Sequence, residues 1–301
     1  MGTPTFAVEI LKGLLDSGYD VVAVFTNPDK PVGRKQIITQ TEVKKKAIEC
    51  GIKVFQPDKF TSDYVKILED LDVDAVVVAA YGKILPKEVL DVSKLGCFNV
   101  HGSLLPKYRG AAPIQASIIN CEKETGITII KMTPRLDDGD ILKMESVKIG
   151  INETFCELSE KLAKIGARLI CDVLKDAKNN CLTPVPQDEN KASYVFKLKK
   201  EMGKINFNMP AIVVHKLICG ISKWPVAYCC FGEKKLKIYK SILRRDYFGQ
   251  PGEILSLKKE LIVGCKEEAV QFCELQLEGK KLMSAESFLN GVKLKKGDFL
   301  K

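Results

Sequence analysis

Only two histidines occur in a chain of 301 residues, and one of them, His101, lies in "FNVHGSLLP" with Asn99 two positions before it. An apolar run leads into this stretch, and a Pro-, Gly- and Ala-rich loop leads out, which places the pair at the end of a strand. Strand side chains alternate between faces, so Asn99 and His101 share one. A carboxamide beside an imidazole can donate to a developing oxyanion and move a proton. Such a histidine needs a carboxylate to set its tautomer. "RLDDGDIL" offers Asp137, Asp138 and Asp140 in a loop between two strand-like runs. Taken singly, each of these residues is ordinary strand-end or turn chemistry; the composite is what points to a reacting site.

The elements that must hold these groups follow from hydrophobic pattern. "DVVAVFT" (20–26) and "DAVVVAA" (74–80) are near-continuous apolar runs, as expected of strands covered on both faces. "CFNV" and "GITIIKM" are further strands, while "TEVKKKAIECG" and "ETFCELSEKLAKIGARLICDVLKDA" carry apolar residues at helical spacing. Strand–helix alternation over residues 1–180 implies an open, largely parallel α/β sheet, with its ligand crevice at the carboxyl ends of the strands. Residues 181–203 are polar, contain two prolines and show no period, so they read as a linker. From 204 to 301, one helical stretch, "MPAIVVHKLICGI", precedes short strands with turn signals, the pattern of a small β-barrel or sandwich. At the other end, "MGTPTFAVEILKGLL" reads as a strand-to-helix turn with no strand before it: Gly2 supplies freedom, Thr3 a cap and Pro4 the first helical position.

Composition narrows the class. No apolar stretch has the length to span a bilayer and the first residues lack a signal-peptide pattern, so a cytoplasmic protein is expected. Eleven cysteines without a C-x-x-C pair read as buried free thiols rather than metal ligands or disulfides. The net charge of +9 is unevenly placed, since residues 204–301 hold 18 Lys/Arg against 10 Asp/Glu. That excess is either a solubilising surface or a field for a polyanion such as nucleic acid. His215 in "AIVVHKLICG" reads as surface or core, Trp224 in "KWPVAY" as a packing anchor, and "TEVKKKA" as a solvated helix face.

Beyond the pattern, "MGTPTFA", "TNPDKPVGR", "VAAYGKILPKEVL", "GCFNVHGSLLPKYRGAAPIQ", "ETGITIIKM" and "LTPVPQDE" resemble the 10-formyltetrahydrofolate-dependent formyltransferases. "KWPVAY" and the tail "ELQLEGKKLMSAESFLNG" are similar to the methionyl-tRNA members of that family. The resemblance implies a Rossmann-like parallel-sheet formyltransferase domain followed by a smaller OB-like β-barrel domain that helps hold tRNA. It implies a catalytic set of Asn99, His101 and Asp137, with Ser103, Leu104, Leu105 and Pro106 as the folate-binding signature and "AYGKILP" on the pterin side. Lys30, Arg34 and Lys35, in the loop "NPDKPVGRKQ", would contact the phosphates of initiator Met-tRNA. The implied donor is 10-formyltetrahydrofolate, no metal is needed, and a monomer is expected.

Three departures from the family pattern stand out: the strand ahead of "MGTPTFA" is missing, the basic loop lacks the extra Gly, Lys and Pro of relatives, and Asp138 replaces a usual Thr. Two adjacent carboxylates compete for ionisation, so Asp138 is expected to shift the pH profile of Asp137. Two other functions fit parts of the sequence. One is a formyl-folate enzyme acting on an amino sugar, a ribonucleotide amine or water; the other is a non-catalytic RNA-binding relative. The basic carboxy-terminal region argues against the first, and the intact Asn99, His101 and Asp137 against the second.

Overall fold

The computed structural model describes residues 1–33 and 35–301 and divides them into two compact units. Unit 1 takes residues 1–113, 125–147 and 159–196; unit 2 takes 114–124, 148–158 and 197–301.

Unit 1 opens with helix α1 (Thr5–Asp16), strands β1 (Ala23–Phe25), β2 (Lys30–Val32) and β3 (Ile37–Thr39), and helix α2 (Glu42–Glu49). Then follow β4 (Lys53–Phe55), α3 (Ser62–Asp70), β5 (Ala75–Val78), α4 (Lys87–Leu90), β6 (Gly96–His101) and β7 (Arg109–Gly110). The chain enters unit 2 along α5 (Pro113–Ile119) and returns for β8 (Glu124–Lys131) and β9 (Ile141–Lys148). Helix α6 (Phe155–Lys178) and the short strand β10 (Tyr194–Val195) complete the unit.

Pairs β1–β4 and β5–β6 are parallel, as strand–helix alternation predicts. β8 departs from that expectation and runs antiparallel to β6, with Asn99 opposite Ile130 and His101 opposite Thr128. An antiparallel neighbour needs no crossover helix back to the starting edge, so β8 can run straight into the 132–140 loop and return as β9. Between β1 and β5, Gly2 donates its N–H to Phe25 O (3.0 Å) and Ala79 N–H donates to Met1 O (2.9 Å), a single rung where a strand ahead of α1 is expected. Any Cβ at Gly2 would lie 2.4 Å from the Ala7 Cβ, so only glycine fits there. Thr3 does not cap α1; Pro4 holds the cap position, and the Thr3 hydroxyl accepts from Asn27 Nδ2 at 2.9 Å.

The segment expected as a linker is hydrogen-bonded into unit 1 over much of its length. Val185 bridges Ile141, and β10 pairs in parallel with β7. Polar composition misleads here because these residues supply acceptors to a buried arginine on β7, described below.

Unit 2 carries α7 (Ala211–Gly220), then β11 (Ala227–Phe231), β12 (Lys234–Arg244), β13 (Ile254–Ser256), β14 (Leu261–Gly264), β15 (Ala269–Leu277), β16 (Met283–Ser284) and α8 (Ala285–Asn290). Its strands form an antiparallel sheet in the order β11-β12-β15-β14-β13, with β16 on β15. Leu236, Ile238, Val263, Phe272 and Leu275 point into one core together with α7, each buried aliphatic side chain contributing roughly 1.5–3 kcal/mol. His215 is fully buried on α7: its Nε2–H donates to Ile151 O (3.0 Å), and its Nδ1 accepts from Ser241 Oγ (2.9 Å). Lys216 Nζ donates to Gly150 O at 2.7 Å. Trp224 is not the packing anchor its size suggests, being 51% exposed. All eleven cysteines are free thiols, and no described helix is long and apolar enough to cross a membrane.

Candidate active site

β6 is buried along its length except at Asn99, and His101, its last residue, is 4% exposed. Both side chains converge on one carboxylate. Asn99 Nδ2 donates to Asp137 Oδ1 at 3.1 Å, and His101 Nδ1 stands 3.7 Å from Asp137 Oδ2. Asp137 Oδ2 also accepts the Gly110 N–H at 2.8 Å. The other imidazole nitrogen, Nε2, lies 2.9 Å from the Tyr108 carbonyl. A carbonyl only accepts, so Nε2 carries a proton and Nδ1 is the nitrogen left to exchange one beside Asp137.

The backbone is bent to make this possible. Tyr108 and Asp137 both adopt left-handed conformations, φ +63° and +49°, at a cost of about 1–2 kcal/mol for the tyrosine and less for the aspartate. Gly110, at φ +117°, lies so close to β10 that an added Cβ would be 2.2 Å from Val195 O. A side chain there would push the Gly110 N–H away from Asp137.

A second layer fixes the carboxylate loop. Gln187 Nε2 donates to the carbonyls of Asp137 (2.9 Å) and Gly139 (2.7 Å). Its Oε1 in turn accepts from Arg109 Nε (3.1 Å) and Nη2 (2.8 Å). Arg109 is 1% exposed and bonds Glu189 through both terminal nitrogens, at 2.8 and 3.0 Å. The guanidinium holds the Glu189 carboxyl below the usual carboxylate range. Sequence reading assigned no role to Arg109, Gly110 or Gln187, although all three fall inside quoted motifs, "PKYRGAAPI" and "LTPVPQDE".

Asp138 faces away from this centre. Its Oδ2 pairs with Arg135 Nε at 2.5 Å, and its Oδ1 accepts from the Thr133 hydroxyl. The Arg135 guanidinium sets a positive charge against Asp138, so the second carboxylate is paired rather than bare. Asp140 offers its carbonyl to Lys131 N–H in the β8–β9 ladder.

The SLLP turn is pinned to β8. Thr128 Oγ1 donates to Ser103 O (2.7 Å) and accepts from Leu105 N–H (3.1 Å), while Ser103 Oγ donates to Lys107 O (2.6 Å). Ser103 and Leu105 are buried, so Leu104 and Pro106, both half-buried, are the members that can offer apolar surface to a ligand.

Lys30 and Lys35 are exposed on the β2–β3 hairpin and form no hydrogen bond with Asn99, His101 or Asp137; Arg34 lies outside the described residues. The base of this hairpin is clamped. Lys44 Nζ meets Asp29 Oδ2 and Gln56 Oε1, each at 2.6 Å, and Gln56 Nε2 donates to Asn27 O and Asp29 Oδ1, each at 2.8 Å. Lys44, then Gln56, hold the Asp29 carboxyl below its ordinary range. The α2 face is therefore not merely solvated. Asn27 Nδ2 also donates to Tyr81 O at 3.0 Å, tying the hairpin to the "AYGKILP" loop after β5. Among the described residues no group of three or more His, Cys, Asp or Glu could hold a metal ion.

A formyl transferase model matches residues 1–174, and a formyl transferase C-terminal domain model matches 197–293. The chain is 44% identical over 305 residues to a methionyl-tRNA formyltransferase of Caldanaerobacter subterraneus, covering all of this chain and 98% of that one. A methionyl-tRNA formyltransferase of Alkaliphilus oremlandii is 42% identical over 303 residues, covering 100% of this chain and 98% of that one. Among solved structures, WlaRD, a sugar 3N-formyl transferase crystallised with dTDP and 5-N-formyl-THF, superposes with a TM-score of 0.67 at 22% identity. That superposition covers 93% of this chain and 97% of the other, a likeness of fold.

Proposed function

The chain belongs to the formyl transferase family, and we propose that it moves the formyl group of 10-formyltetrahydrofolate onto the α-amino group of methionine carried by initiator tRNA. It is a formyl-transferring enzyme, and the product is N-formylmethionyl-tRNA for translation initiation. The observation that carries the chemistry is the single carboxylate of Asp137 held between Asn99 and His101 by the Gly110 N–H.

The residues at the crevice fit a bound formyl-folate: two polar groups at the strand end, and an apolar turn with Leu104 and Pro106 half-buried beside them. The folate supplies an activated formyl carbon. Asn99 spends one Nδ2 hydrogen on Asp137 and keeps the other for a developing oxyanion. His101 takes the proton of the attacking amine on Nδ1 while Nε2 stays bonded to Tyr108 O. Asp137 stabilises the imidazolium so formed, and His101 returns the proton to the departing folate nitrogen. Unit 1 thus performs the chemistry, and unit 2, read as OB-like, holds RNA. Lys30, Arg34 and Lys35 approach its phosphates, contacts that position without reading sequence. Full-length matches to relatives named for methionyl-tRNA support the acceptor.

The test supplies the purified chain with 10-formyltetrahydrofolate and, in separate reactions, charged initiator tRNA or a nucleotide-linked amino sugar. Formyl-Met-tRNA is the expected product. Formylated sugar without formyl-Met-tRNA would overturn the acceptor, and neither product would overturn the reaction.

A further inference from the structure

Trp224 is the only tryptophan in the chain, and half of its surface faces water. It borders a depression of about 240 Å³ together with Pro225, Tyr228, Lys200, Lys235 and Lys237. Strand geometry explains how these groups meet. Tyr228 on β11 lies opposite Lys237 on β12, and Lys235 is two residues from Lys237. Period two then puts all three on one face, while Leu236 and Ile238 turn into the core. Lys235 Nζ stands 3.9 Å from the Tyr228 ring centroid, a cation–π contact that holds the ammonium at the rim of the depression. Among the described residues none of Lys200, Lys235 and Lys237 forms an ion pair with a carboxylate. The neighbouring Glu278 directs an oxygen to the Lys235 backbone N–H at 3.2 Å.

An exposed indole ringed by three unpaired ammonium groups combines the two features that single-stranded nucleic acid needs, a flat π-face for a base and cations for its phosphates. We propose that this patch is a stacking subsite for one unpaired nucleotide of an RNA, with Trp224 carrying the base and Lys200, Lys235 and Lys237 the flanking phosphates. The inference rests on the reading of an RNA substrate and adds where an unpaired base is gripped. The indole supplies stacking that tolerates any base, and the lysines supply salt-sensitive affinity.

Because Trp224 is alone, intrinsic fluorescence reports on this site without labelling. Titrating the full chain with a short single-stranded oligoadenylate quenches that emission, whereas tripolyphosphate, which can engage only the lysines, leaves it nearly constant. Equal responses to the two, or none to the RNA, would overturn the proposal. So would quenching by anionic phospholipid vesicles but not by RNA, which would assign the patch to a membrane surface. In anisotropy titrations with a labelled oligoadenylate, Trp224→Leu weakens binding roughly 5- to 150-fold, and Trp224→Phe recovers most of the loss. Lys237→Ala lowers the slope of log affinity against log salt by about 0.7. If both Trp224 variants bind like the parent chain, the subsite is wrong whether or not formyl-Met-tRNA forms. If the parent makes no formyl-Met-tRNA yet its indole is quenched by RNA, the acceptor reading fails and the subsite stands.

Discussion

Replacing Asp137 by asparagine removes one charge and keeps the outline of the side chain. The backbone at this position has φ +49°, a region that Asn shares with Asp at low cost and that Ala does not. The carboxylate accepts the Gly110 N–H and one Asn99 hydrogen and lies 3.7 Å from His101 Nδ1. A carboxamide has one oxygen. Turned to keep Gly110, it points its NH₂ at the NH₂ of Asn99, and relief requires Asn99 to flip. The flip aims the Asn99 donors away from Asp137 and disturbs the one reserved for the oxyanion. At 3.7 Å and an effective permittivity of 20, the lost attraction to an imidazolium is about 4.5 kcal/mol. Asp137→Asn is therefore expected to reduce kcat/KM by roughly a thousandfold, most of it in kcat. The lost charged hydrogen bond also costs about 1–3 kcal/mol of stability, so the comparison is made well below both melting temperatures. The assay is formylation of Met-tRNA at saturating 10-formyltetrahydrofolate. A variant retaining more than about a tenth of the parent kcat/KM would refute the assignment of charge stabilisation to Asp137.

Arg109→Lys keeps the charge but loses the planar fork that grips Gln187 and Glu189 together. It is expected to lower kcat/KM and melting temperature, and Gln187→Met is expected to add little on top; additive losses in that double-mutant cycle would break the chain from Arg109 to Asp137. Burial, opposed only in part by the bond to Ile151 O, holds the His215 imidazole below its ordinary pKa. The folded protein then binds that proton less readily than the unfolded chain, so the contribution is full above about pH 6.5 and is lost as pH falls. Melting temperature should drop toward acid more steeply in the parent than in His215→Gln, and parallel curves would count against it. Lys44→Gln frees Asp29 and loosens the base of the β2–β3 hairpin. It should raise KM for Met-tRNA several-fold more than KM for the folate, and equal changes would remove the hairpin from RNA binding.

The strand-end pair was legible because a period-two run and two unusual residue types coincide within "FNVHGSLLP", a local signal. What the sequence withheld was long-range. Arg109 meets Tyr194 across 85 positions and Gln187 across 78, and no local period announces such a pairing. The same blindness produced the errors. Asp138 beside Asp137 looks like repulsion until Arg135 is seen on it, Thr3 looks like a cap until Asn27 claims its hydroxyl, and Trp224 looks like core until the face it occupies is known. Parallel pairing followed from element alternation as far as β6 and stopped at β8, where a return strand replaced a crossover.

Unit 2 is assembled from three separate stretches of chain, and this limits what can be exchanged between relatives. A cassette beginning at residue 197 would lack Gly150 and Ile151, whose carbonyls accept from the buried Lys216 ammonium and from His215. An ammonium stripped of its acceptor inside a fold costs several kcal/mol, a large share of the stability of a small domain. A working graft has to carry residues 114–124 and 148–158 as well, and these are interleaved with the strand that bears Asn99 and His101 and the loop that bears Asp137. Recombination at a single junction therefore cannot exchange unit 2 whole. The two units are written into the sequence as one interleaved block.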